Sequence, residues 1–316
     1  MIQEGYNHEG NRSLTDAVPL RDIQKKLPLR VLSPEDWEHW TTWGYVVVHN
    51  AVPAENIERL KSLLWEFQEL DPDDPSSWNK PQLKLNSMPE LNNTGMVEVY
   101  NHQYLWDNRQ QQRIYDAYVD IWDREDLWVT IDRANLNVPN IGVRPFDGFI
   151  HWDVDTTQRP LPVNVQGVLS LADTDEEVGG FQCAPTLFRD FEEWDAKQPP
   201  DRKPFHPTVS DDEIRFVPTK AGDLVIFNCL TAHGIKANRS KDRARLAQYI
   251  SMYPADEANE QLRQTRIRSW RERIAPQGAA FPGDPRDWEK TRYETAELNE
   301  LGEKLLGLKR WAEPRA

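Results

Sequence analysis

Cysteine is scarce in this chain: of 316 residues, two are cysteine, Cys183 and Cys229. Two thiols cannot build a disulfide framework, and both lie in apolar runs, so they read as small buried packing residues. Long apolar stretches are lacking too. Runs such as 224–227 fall far short of the ~20 residues that a membrane helix requires. The first 15 residues hold no apolar segment of the kind a secretory signal needs, so the expectation is a soluble, cytoplasmic protein that does not engage a membrane. Basic residues are outnumbered: 38 Lys and Arg stand against 52 Asp and Glu, a formal charge of −14. A chain that repels phosphate overall is a poor candidate for a nucleic-acid binder. The sequence shows no internal repeat and no low-complexity tract.

What is present suffices for a core. Hydrophobic residues make up 38%, with 13 Trp, 10 Phe and 9 Tyr among the bulky ones. The length fits one large domain or two small ones, and the pattern reads as a single domain spanning 1–316. An arm covers 1–30. A mainly helical part follows over 31–126. Within it Ser33, Pro34 and Asp36 carry the signs of a capped helix start, and Ile57, Leu60, Leu64 and Phe67 recur at helical spacing. From 127 to 253 short β-branched runs alternate with Gly, Pro and Asp turns, as in a sandwich or barrel. Strands are expected at 127–137, 148–154, 163–171, 181–184, 214–217, 224–230 and 245–253, with an insertion at about 187–213. Helices return over 254–316, where Leu298, Leu301, Leu305 and Leu308 share a face. The fold class is α+β with a mainly β core.

Three residues in this β region suggest a metal centre. In His151-Trp152-Asp153, residues two apart point to the same side of an extended chain, so His151 and Asp153 can reach one cation while Trp152 packs behind them. A His-x-Asp pair alone arises by chance. Further on, Ala221-Gly222-Asp223 turns into an apolar strand, at whose end His233-Gly234 is expected. Two imidazoles and one carboxylate on one face of a metal leave three positions open, the donor set of non-haem Fe(II) oxygenases. Arg243 lies ten residues beyond His233, across a turn-like stretch, where the chain can run back beside the His strand. A guanidinium there can hold a carboxylate through two parallel hydrogen bonds. Arg245, two residues further on, could share its face and is the rival.

With these residues assembled, the chain resembles the phytanoyl-CoA dioxygenase (PhyH) family of Fe(II)/2-oxoglutarate-dependent oxygenases. The resemblance is carried by His151-x-Asp153, Gly179-Gly180-Phe181-x-x-x-Pro185, Gly222-Asp223 before an apolar strand, His233-Gly234, Asn238-x-Ser240, and Arg243 six residues before Tyr249. It covers about 135–253, and the early helix–strand–helix from Trp37 to about Phe67 also looks like the family's start. It implies a double-stranded β-helix (jelly roll, cupin-like) with flanking N- and C-terminal helices. It also implies that His151, Asp153 and His233 carry Fe(II), that Arg243 holds the far carboxylate of 2-oxoglutarate, and that O2 is the other co-substrate. With Asp153 in place it implies hydroxylation, or a linked desaturation or demethylation, rather than halogenation.

Two positions depart from the family pattern. Pro185 is followed by Thr186-Leu187-Phe188 instead of Gly-Ser-His. Ile235 stands where many members carry a small hydroxyl residue. Asn135 and Asn137 could assist with 2-oxoglutarate, line a substrate pocket, or be ordinary strand-end polar residues. Arg263, Arg266, Arg268, Arg271 and Arg273 form either a solvated helix face or a patch for an anionic substrate or partner subunit. The expected partner is a small-molecule substrate, with a homo-oligomer possible. Two other functions fit the same residues: a cupin-like metalloenzyme that uses no oxo-acid, and a non-catalytic jelly-roll binding protein.

Overall fold

The computed structural model describes residues 18–78, 95–139, 148–278 and 281–311. Expectations for residues 1–17 of the arm and for 312–316 at the end of the C-terminal part lie outside the described residues. The described strands are β1 (Tyr45–Val48), β2 (Met96–Val97), β3 (Leu127–Val129), β4 (Ala134–Asn137), β5 (Val165–Ser170), β6 (Gly180–Cys183), β7 (Arg215–Phe216), β8 (Leu224–Asn228), β9 (His233–Lys236), β10 (Arg245–Tyr249) and β11 (Met252–Pro254). They form an antiparallel sheet of six in the order β1-β8-β5-β10-β4-β2, an antiparallel sheet of three in the order β7-β6-β9, and the pair β11-β3.

The strand period of two sorts the side chains of the large sheet into two layers. Val46, Val48, Val165, Leu169, Leu224, Ile226 and Leu246 turn to one face, where they join a core with Leu60, Leu64 and Phe67 of the helix Ala54–Phe67 and Ile114, Tyr118 and Ile121 of the helix Gln112–Trp122. Gly167 permits that contact to be close. A Cβ there would stand 2.1 Å from the Tyr118 hydroxyl, which donates to the Ile250 carbonyl at 2.6 Å. The alternate residues Val168, Val225, Phe227 and Ala247 turn the other way and pack with Phe181 and Cys183 of β6. The small sheet therefore faces the large one, and between them lies the interior that the site uses.

The first helix, Pro34–Trp43, starts as its sequence predicts. The Ser33 hydroxyl accepts from Asp36 N–H at 3.1 Å, and the Asp36 carboxylate accepts from Ser33 N–H at 2.9 Å. The described part of the arm holds a 3-10 turn, Leu20–Asp22, and is pinned. Buried Asp120 accepts from the backbone N–H groups of Arg30, Val31 and Leu32, and Asp123 from those of Lys26 and Leu27. Four strand expectations are corrected. Residues 127–137 split into β3 and β4, and 245–253 into β10 and β11, because the chain leaves one sheet for the other pair partway along. The segment 148–154 makes a single bridge, His151 to His233, rather than a strand. The strand from 224 ends at Asn228, and His233 opens β9 in the opposite sheet.

Both cysteines are free and buried, and burial raises both thiols above their ordinary pKa. Four residues of the arginine run lie on the helix Glu260–Glu272 and Arg273 caps its end, and neither expected arrangement holds throughout. Arg266 is fully buried and donates to the carbonyls of Val129, Leu305 and Leu306 and to the Tyr253 hydroxyl, while Arg263 and Arg268 pair with Glu260 and Glu272. Burial lowers the Arg266 pKa to about 9. Among the described residues, no helix is long and apolar enough to cross a membrane.

Candidate metal centre

Backbone pairing brings the two histidines together. His151 N–H donates to His233 O at 2.8 Å, and His233 N–H donates to His151 O at 2.9 Å. Gly234 makes the approach possible, since a Cβ there would stand 1.8 Å from the Phe149 carbonyl oxygen. Trp152 turns away, as its position between His151 and Asp153 requires. It is buried against Ala184, Leu187 and Phe191, and its indole N–H donates to Leu230 O at 2.8 Å. That anchor fixes the extended chain on either side of it, so His151 and Asp153 project together.

One ligand atom from each of His151, Asp153 and His233 lies within 4.8 Å of the others. His151 Nε2 stands 2.9 Å from Asp153 Oδ1, and His233 Nε2 stands 3.3 Å from Asp153 Oδ2. His233 Nδ1 is 3.0 Å from the Thr231 carbonyl, which can only accept. Nδ1 therefore carries a proton, which leaves Nε2 as the nitrogen that faces the cluster. The His233 ring lies 4.3 Å from the Phe227 ring, which limits its rotation. Burial would lower the His151 pKa, but its hydrogen bond to Asp153 and that residue's charge raise it. Burial likewise opposes ionisation of Asp153, and the two imidazoles overcome this and hold the carboxyl well below its ordinary range. Two imidazole nitrogens and an ionised carboxylate, gathered on one side of a partly open interior, fit a divalent transition metal and match the facial donor set of non-haem iron sites.

The expected anion anchor is corrected. Arg243 lies before β10 begins, outside the ladder, and its side chain is 43% exposed. Its guanidinium pairs with Asp175 at 2.6 Å and Glu177 at 2.9 Å on the outer surface. The loop holds it there: Asn238 Nδ2 and Ser240 Oγ both donate to the Arg243 carbonyl, at 2.7 and 2.9 Å. The strand after His233 does not run back beside β9 either, because β10 joins the large sheet between β5 and β4.

Arg245 occupies the interior instead. It shares the inward face of β10 with Ala247 and is 3% exposed. Its Nη1 donates to Asn135 Oδ1 at 3.0 Å, and a Cβ on Gly180 of the facing sheet would stand 3.6 Å from its Nε. No carboxylate pairs with Arg245 among the described residues. Asn137 lies opposite Arg245 in the ladder, and its carbonyl accepts from Asn238 Nδ2 at 3.1 Å. Of Thr186-Leu187-Phe188, which stand in place of the family's Gly-Ser-His, Leu187 and Phe188 are core residues of the helix Pro185–Arg189.

Sequence reasoning missed Gln166. It sits on the inward face of β5, opposite Phe227, and its Nε2 donates to Asp153 Oδ2 at 2.7 Å. Its place in the alternation of 163–171 was the available signal.

The family model described as phytanoyl-CoA dioxygenase (PhyH) matches residues 40–247. A Dictyostelium discoideum protein named "Putative phytanoyl-CoA dioxygenase" is 22% identical over 281 residues, covering 74% of this chain and 80% of its own. The "Ava biosynthesis cluster protein O" of Aspergillus versicolor is 24% identical over 267 residues, covering 72% of this chain and 82% of its own. Of solved structures, the GlcNAc-inducible gene 2 protein of Candida albicans superposes with a TM-score of 0.62 at 13% identity, over 88% of this chain and 76% of that one. The hypothetical protein JW0805 of Escherichia coli gives 0.59 at 15%, over 87% and 82%. At these identities the two structures speak to fold alone.

Proposed function

Because the chain belongs to the phytanoyl-CoA dioxygenase family, we propose that it is an Fe(II)- and 2-oxoglutarate-dependent oxygenase that hydroxylates a small-molecule substrate. The observation that carries this reading is the pairing of two features in one interior. The His151–Asp153–His233 cluster lies against Gln166 and Phe227 on the inward face of the large sheet, and Arg245, buried without a carboxylate partner among the described residues, is on that same inward face. The two facing sheets fit a double-stranded β-helix.

Each residue has a separable role. His151 and His233 offer neutral nitrogens, and Asp153 offers a negative oxygen. Thr231 O sets the His233 tautomer. Arg245, aligned by Asn135, orients 2-oxoglutarate by its far carboxylate. Phe181, Phe227, Val168 and Val225 keep the space between the sheets dry, which strengthens every charge interaction inside it. Bound to the three ligands, Fe(II) would supply the redox chemistry that converts 2-oxoglutarate, O2 and a substrate C–H into succinate, CO2 and the hydroxylated product. Asp153 keeps the third protein ligand in place, which favours hydroxylation over halogenation.

The test is O2-dependent conversion of 2-oxoglutarate to succinate by the iron-loaded protein, with and without candidate substrates. Succinate from the native chain and none from Asp153→Ala is the expected result. Metal binding without consumption of 2-oxoglutarate would favour a cupin-like metalloenzyme, and stoichiometric ligand binding without O2 uptake would favour a binding protein.

A further inference from the structure

We propose that Gln166 is a positioning residue for the metal carboxylate: its side-chain amide occupies one oxygen of Asp153, so that Asp153 presents a single oxygen to the cation. The inference rests on the metal-centre reading of His151, Asp153 and His233.

A carboxylate has two oxygens and can grip a cation with one or with both. In a six-position site, two histidines and a carboxylate using both oxygens leave two positions. A chelating oxo-acid and O2 together need three, so the carboxylate must be held to one oxygen. Asp153 is the residue of the cluster with this ambiguity. Its Oδ2 accepts from Gln166 Nε2 at 2.7 Å, and its Oδ1 lies 2.9 Å from His151 Nε2. The amide donates without adding charge. A lysine or arginine there would compete with the metal for the carboxylate, and a glutamate would repel it or become a fourth ligand.

The fold puts Gln166 there for reasons that do not depend on the metal. Val165 and Gly167, on either side of it, turn to the helical face, where Val165 is buried and Gly167 accommodates Tyr118. Gln166 must therefore turn inward. Its ladder partner is Phe227, the residue whose ring lies against His233. One pair of facing positions on β5 and β8 thus steadies two of the three ligands, Asp153 by a hydrogen bond and His233 by contact.

The experiment is anaerobic titration of the metal-free chain with Co(II), read by calorimetry for affinity and by the visible ligand-field absorption for coordination. Gln166→Met keeps the length of the side chain without the donor, and Gln166→Ala is a second variant should the first lose its fold, as judged by circular dichroism. The folded variant is expected to bind Co(II) roughly 10–100-fold more weakly than the native chain, with an altered ligand-field spectrum. Affinity within about twofold of native and a superimposable spectrum would overturn the role of Gln166 and leave the metal centre standing. A native chain that binds no Co(II) would overturn both.

Discussion

A buried guanidinium without a counter-charge is costly, and the chain shows how it manages its others. Arg109 and Arg266 are surrounded by backbone carbonyls, and Arg133 pairs with Glu98 at 2.6 Å. Arg245 has the neutral amide of Asn135 and the space between the sheets. An anion that enters that space gains a charge-assisted contact shielded from water. Arg245→Ala is therefore expected to weaken 2-oxoglutarate binding by roughly 100-fold, the range for losing a buried charge pair. Arg243→Ala, which removes a surface pair with Asp175 and Glu177, is expected to leave binding within about twofold. Anaerobic calorimetry of both variants checks the contrast, and the reverse order of effects would restore Arg243 as the anchor. The choice between these two arginines was not legible from spacing. Residues 243 and 245 share a face only where the strand includes both, and β10 begins at Arg245. His151, Asp153 and His233 were legible because their chemistry is rare as a set, whereas Gln166 looks like any polar residue on a strand.

At the scale of elements, the bridge between residues 151 and 233 carries the site, and Gly234 is its weak point. Gly234→Ala would force the Phe149 backbone away from a Cβ 1.8 Å off. The expected cost is about 1–3 kcal/mol, the range for overpacking, together with loss of metal binding. Chemical denaturation and metal titration of the variant read the two effects separately, and native metal affinity would show that the bridge does not set the ligand spacing. The Ser33 cap is a purely local device, so Ser33→Ala should cost about 1 kcal/mol by the same denaturation and leave metal affinity untouched.

A second joint lies outside the His151–Asp153–His233 cluster. Glu289, on the helix Trp288–Arg292, accepts from the backbone N–H groups of Tyr100 and Asn101 just ahead of the helix Gln103–Arg109. Burial raises its pKa from 4.5 to about 7 against the pull of those N–H groups and of Arg109. A folded pKa above the unfolded one means that its contribution to stability is fully present below pH 4.5 and is lost as pH rises through about 7. The stability of the native chain should thus fall relative to Glu289→Gln across that window. Urea midpoints that shift in parallel for the two chains would contradict it. Helices with caps and regular apolar spacing were readable in advance. Sheet membership was not, because a run of β-branched residues does not say where the chain crosses from one sheet to the other, as it does within 127–137 and between Asn228 and His233.

Over the whole molecule, the candidate metal ligands His151, Asp153 and His233 come from the 148–154 segment and the small sheet, while Arg245, Asn135 and Gln166 come from the large one. Metal and co-substrate together would therefore tie the two halves of the sandwich. Ligands that bind the folded state alone stabilise it by about 2.7 kcal/mol at 100 times their dissociation constant. Mn(II) with 2-oxoglutarate should raise the melting temperature of the native chain more than Mn(II) alone, and neither should raise that of Asp153→Ala. The α+β composition with a mainly β core was visible in the spacing of turns and apolar runs. The facing of the two sheets emerges from which alternate residues pack together, and that is a property of the assembled fold.

The most direct measurement is the visible absorption of the anaerobic protein loaded with Fe(II) and then given 2-oxoglutarate. A weak charge-transfer band that appears on addition of 2-oxoglutarate, is lost in Asp153→Ala and needs far more 2-oxoglutarate in Arg245→Ala is the predicted result. A folded, iron-loaded native chain that develops no band, or a band indifferent to both substitutions, would contradict the assignment.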